Sequence, residues 1–78
     1  MGIVNTIVHN GSRCKVLCQR DSEAFIGTLD LLVEDLNTHE IARYWGYQLK
    51  SDKYVERYTY GKCDKYQKRI AMQNFIYK

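Results

Sequence analysis

Proline is absent from the 78 residues. The chain therefore holds no rigid polyproline linker and no Pro-x-x-Pro ligand segment. Cysteine and histidine are scarce: Cys14, Cys18 and Cys63, His9 and His39. An odd cysteine count argues against a disulfide framework and for free thiols in a reducing cytoplasm. No apolar run approaches the roughly 18–20 residues of a membrane span, so no membrane partner is expected. Met1-Gly2-Ile3-Val4-Asn5 lacks the basic stretch and apolar core of a secretory signal. Phosphate loops, dinucleotide fingerprints and Gly-x-Ser-x-Gly elbows are missing too. The expectation is a protein that is not an enzyme and has no cofactor and no metal.

What is present describes a globular chain. Apolar residues make up 45% and charged residues 27% of the sequence, and one domain over residues 1–78 is expected. A chain this short buries only about 60% of its unfolded surface. A partner, or a second copy in a homodimer, is a natural source of further burial.

The pattern predicts an α+β domain of order ββαβββ, a two-layer antiparallel sheet of about five strands with one helix on one face. Residues 3–19 read as a hairpin, because β-branched residues lead into Asn10-Gly11, the strongest two-residue turn signal. Pairing His9 with Ser12 sets Ile7 opposite Cys14, Asn5 opposite Val16 and Ile3 opposite Cys18. One face then carries Ile3, Ile7, Cys14, Val16 and Cys18. Residues 22–36 read as a helix capped by Asp21 or Ser22, with Phe25, Leu29, Leu32, Val33 and Leu36 on one stripe. Residues 41–49 and 54–60 read as a second hairpin around Ser51-Asp52, with Lys50 opposite Lys53 and Trp45 opposite Tyr58 on the core face. Tyr44, Arg57 and Thr59 take the other face. Residues 67–77 read as a last strand.

Catalytic and metal chemistry find weak footing. The Cys14-x3-Cys18 spacing has no second close pair to complete a zinc site. On a strand the two lie about 13 Å apart, beyond the roughly 7 Å limit for a bridge. A thiol nucleophile would need Cys63 beside His39, with Glu40 or Asp35 to orient the ring, and loop histidines are usually plain solvated residues.

Charge is distributed unevenly. Residues 1–40 hold three basic and six acidic side chains, and residues 41–78 hold nine basic and three acidic. All seven tyrosines and the only tryptophan lie in the second half. Tyrosine, tryptophan and arginine dominate binding hot spots. The candidate partner-binding residues are therefore Tyr44, Arg57, Lys62, Lys65, Lys68 and Arg69, with Asp30 and Glu34 on the acidic helix as a second candidate surface. A small, asymmetrically charged chain without an active site is similar, as a class, to the inhibitors carried by phages and mobile elements, anti-CRISPR proteins among them. That likeness implies a non-catalytic protein that occludes a surface of a larger protein or ribonucleoprotein complex. The alternative is a small basic nucleic-acid-binding protein using the same Tyr, Lys and Arg residues. A minor structural subunit of a larger assembly is the third possibility.

Thiol titration of the unfolded, unreduced protein should count three free thiols, and elemental analysis should find no zinc. Stoichiometric zinc would overturn the reading of the cysteines.

Overall fold

The computed structural model describes residues 2–62 and 64–76. Five strands, β1 (Thr6–His9), β2 (Ser12–Asp21), β3 (Leu29–Asp35), β4 (Glu40–Tyr47) and β5 (Glu56–Lys62), precede one helix, α1 (Lys65–Ile76). The strands form one antiparallel sheet in sequence order. The α+β class, the five-strand antiparallel sheet and the single helix match the expectation. Their order does not: it is βββββα, and a strand and the helix have exchanged places relative to ββαβββ.

The first hairpin forms as its turn dictates. Asn10 and Gly11 both take positive φ, 52° and 76°, as a type I′ turn requires. His9 pairs with Ser12 and Ile7 with Cys14, and the Val16 amide donates to the Asn5 carbonyl at 2.9 Å. Beyond Val16 a bulge shifts the register of β2 against β3. Cys14 and Val16 therefore join one apolar cluster, and Leu17 and Cys18 join another. The expectation that both cysteines share a face fails at this bulge.

The expected helix over 22–36 is a turn followed by β3. Ser22 does cap, its hydroxyl accepting from the Phe25 amide at 3.3 Å, but the chain then closes on itself. The Ser22 amide donates to the Thr28 carbonyl at 3.1 Å, and Gly27 sits at φ 81°. β3 is the middle strand, and both of its faces are covered. Leu29, Leu31 and Val33 pack on one side and Leu32 on the other. A run that is apolar on both faces fits a helical stripe as well as a buried strand, so periodicity alone does not separate them.

The expected strand over 67–77 is helical through Ile76. Asp64 caps it, its carboxylate accepting from the Gln67 amide at 2.9 Å. Ala71 and Phe75, one turn apart, are buried, and Met72 packs beside them. That face lies on Leu32 and Ile41. Ile70 and Ile76 suggested alternation, yet Ile76 is 63% exposed.

The second hairpin slips by two residues. Gln48 bridges to Lys53, and Trp45 faces Glu56 and Arg43 faces Tyr58. A two-residue slip leaves Arg43, Trp45 and Tyr58 on one face and Tyr44 on the other, whereas Tyr47 crosses to the face of Tyr44. The opposite face, however, is the main core: Tyr44 is wholly buried among Leu31, Val33, Ala42 and Tyr47. The sheet curls around this core. His9 in β1 lies 5.5 Å from the Tyr44 ring in β4, whereas three strand spacings in a flat sheet would separate them by about 14 Å.

Phe75→Ala should cost about 3–5 kcal/mol, and Ile76→Ala should change stability by less than about 0.5 kcal/mol. Equal urea midpoints for the two variants would show that the helix does not pack as described.

Candidate binding groove

The helix covers one face of the sheet and leaves a groove along the β4–β5 side. Arg20, Arg43, Trp45, Tyr58, Tyr60 and Asn74 line one stretch of about 400 Å³. Tyr60 and Asn74 continue into a second stretch of about 450 Å³ with Lys62, Gln67, Ile70 and Ala71. Among the described residues, no carboxylate lines either stretch.

Strand geometry puts these side chains together. Arg43 and Trp45 are two apart on β4, and Tyr58 is two from Tyr60 on β5, so each pair shares a face. The Tyr58 and Tyr60 rings meet edge to face with centroids 5.0 Å apart. Both remain open to solvent, at 54% and 36% exposure.

Two arginines form the inner end. Arg20 donates from Nη1 to the Phe75 carbonyl at 3.0 Å and pairs through Nε with Asp30 at 3.4 Å. Its guanidinium lies 4.7 Å from the Phe75 ring centre. The Arg43 guanidinium lies 4.6 Å from Trp45 and 5.2 Å from Phe75. Arg43 Nη1 donates to the Tyr60 hydroxyl at 3.3 Å. Arg43 is only 5% exposed, and its Nε has no partner. The ion pairs among the described residues use Arg20, Arg57, His39 and Lys68, not Arg43. A buried cation without a counter-charge carries a desolvation penalty of several kcal/mol, which two cation–π contacts offset only in part. An anion seated in the groove beside Arg43 would supply the missing counter-charge.

Most of the residues expected at the binding surface are engaged elsewhere. Tyr44 is core rather than surface, and the Arg57 Nε donates to its hydroxyl at 2.8 Å. Arg57 also lies 3.8 Å from Glu40, so this pair closes the far face of the sheet. Asp30 is buried on β3, not displayed on a helix, and accepts from the Gly46 amide at 3.3 Å in addition to pairing with Arg20. Glu34 is held by Lys68 at 2.7 Å and His39 at 3.2 Å. The acidic helix surface therefore does not exist, because its residues belong to a central strand whose carboxylates are paired. Lys62 lies in the groove. Lys65, Lys68 and Arg69 flank a separate shallow surface with Met72 and Ile76.

Sequence reasoning missed Arg20, Arg43, Tyr60 and Asn74, and it placed Trp45 and Tyr58 in the core. One signal was available. The hairpin pattern puts Arg43 on the same face as Trp45, Tyr58 and Tyr60, and an arginine among three rings marks a groove wall more readily than a core.

Elsewhere lie the two described thiols, Cys14 buried and Cys18 half-buried. Burial pushes both Cys14 and Cys18 above the usual thiol range, away from the low values of reactive thiolates. They lie in separate clusters, so they do not converge on one ion. Cys63, the other half of the nucleophile pair weighed with His39, lies outside the described residues. Among the described residues, no helix is long and apolar enough to cross a membrane.

No known protein family, curated protein or solved structure matches the chain.

The Glu34 network makes acid stability testable. The hydrogen bond from Lys68, then that from His39, outweigh burial and hold the Glu34 carboxyl below its ordinary 4.5. A depressed folded-state value contributes stability that is complete above about pH 4.5 and is lost as pH falls through the lower value. Glu34→Gln should therefore destabilise the protein near neutral pH and flatten its loss of stability in acid. Parallel stability–pH curves for the variant and the parent would refute this.

Proposed function

We propose that the protein is a small non-catalytic binding protein that takes an anionic segment of a larger partner into the groove between β5 and α1. The observation that carries this is Arg43, a buried guanidinium at the groove's inner end with an unpartnered Nε and no carboxylate. Arg20 and Lys62 extend the positive lining, and Trp45, Tyr58 and Tyr60 supply contact area. Rigid aromatic rings beside arginine are the composition of a binding hot spot. The groove is open and lined by cations, amides and aromatic rings, and binding is the chemistry such a lining supports. Buried free thiols also suit a reducing cytoplasm.

In the cell, such a protein acts by covering what it binds. Occlusion of a ribonucleoprotein surface, the inhibitor role suggested by size and charge asymmetry, fits a groove that takes up an anionic segment.

Charge reversal tests the surface. Lys62→Glu and Asn74→Asp place negative charge in the groove. Each should weaken binding to a purified partner by about tenfold or more, and raised salt should weaken binding by the parent protein. Lys65→Glu and Arg69→Glu, on the far flank of the helix, should have much smaller effects. Losses at Lys65 and Arg69 with none at Lys62 would move the active surface to the outer face of the helix.

A further inference from the structure

Within that reading, the geometry points to a particular ligand: we infer that the groove binds single-stranded nucleic acid, with a phosphate at Arg43 and bases against Tyr58 and Tyr60. This rests on the anion-binding assignment of the groove and adds the class of ligand.

Three observations favour it over an acidic peptide. The first is the shape of the cation. A planar guanidinium lining the groove offers the fork geometry that matches phosphate oxygens, and Trp45 and Phe75 pack against it. The second is the exposure of Tyr58 and Tyr60. Their rings meet edge to face with centroids 5.0 Å apart, which fixes both and leaves an exposed ring face for a base to stack on. Base–aromatic stacking beside a basic track is how single strands are held without dependence on sequence. A carboxylate peptide would neutralise Arg43 and leave both rings unused. The third is the facing wall. Gln67 and Asn74 on α1 line the groove, and their amides both donate and accept, as base edges require. A peptide rich in acceptors would use only half of that capacity. A duplex is disfavoured because its bases are already stacked on one another and turned away from the rings.

The protein carries its own reporter. Trp45 is the only tryptophan and lines the groove beside Arg43. Intrinsic fluorescence can therefore be followed as a short oligothymidylate, an oligouridylate, a duplex of similar length or an oligoglutamate peptide is added. The inference expects both single strands to change the Trp45 emission saturably, with the duplex and the peptide binding at least tenfold more weakly. Tyr58→Ala, a surface change, should weaken single-strand binding by about tenfold. Lys62→Ala should weaken it by less and make the salt dependence shallower. The parent's log–log salt slope should be about −1 to −2, as expected for two or so phosphates. Because Arg43 also packs under the helix, Tyr58 and Lys62 serve as the diagnostic positions.

Binding of oligoglutamate in preference to the single strands would overturn the nucleic-acid assignment and leave the anion-binding groove standing. Failure of every probe to change the emission would overturn both. Single-strand binding that is unaffected by Tyr58→Ala and Lys62→Ala but lost in Lys65→Ala and Arg69→Ala would overturn the placement of the site.

Discussion

Two guanidiniums lie against the ring of Phe75, and the position of the helix depends on those contacts. Arg20 reaches it from β2 and Arg43 from β4, the strands on either side of β3. Arg20 also takes the carbonyl of Phe75, one of the acceptors that a helix leaves unpaired in its last turn. The helix is thus held where Ala71 and Phe75 pack with Leu32 and Ile41. Two cations meet there, and a single carboxylate, Asp30, pairs with one of them. The charge that remains belongs to Arg43. The contact that fixes the helix thereby also creates the electrostatic character of the groove beside it.

Irregularities in the strands determine what each face presents. The bulge at Leu17 turns Cys18 away from the face of Cys14. In β4, the register shift opposite Leu29–Leu31 falls at Gly46, whose φ is 66°. A side chain there would meet Val55 at 2.8 Å. This lets Tyr44 and Tyr47 share the curled core while Trp45 turns to the helix side. The shift between Ile41 and Ala42 leaves Tyr60 as the extra residue in β5. Bulges of this kind increase local twist and re-aim side chains, and here they separate a buried core with Tyr44 and Tyr47 from an open groove lined by Arg20 and Arg43.

The legible parts of the fold were those set by local chemistry. Asn10-Gly11 determines its hairpin and register because few other residues adopt two successive positive φ values. β3 was not legible. As the middle of a sheet covered on both sides it has no polar face, and Leu31-Leu32-Val33 carries neither period cleanly. Its acidic neighbours Asp30 and Glu34 read as a solvated helix face, since nothing local reveals that Arg20 and Lys68 will reach them. The helix was hidden for the converse reason. Its buried face is narrow, little more than Ala71, Met72 and Phe75, and the isoleucines on its flanks imitate a strand. The site followed the elements. Lys62 lines the groove, but Tyr44 is core and not surface, because the curl of the sheet depends on bulges that composition does not announce.

Every strand pairs with the next one along the chain, so the sheet assembles from short loops alone. The tie between Arg20 and Phe75 spans 55 residues and is of another kind. Closing it costs more chain entropy, and it has no hairpin to guide it. A meander can therefore be complete while α1 is still detached, with Leu32 and Ile41 bare and the groove lacking a wall. In such a molecule the groove is the least cooperative part of the native state. A ligand seated against both the strands and α1 would hold the helix down, so occupancy and the final step of folding become one equilibrium.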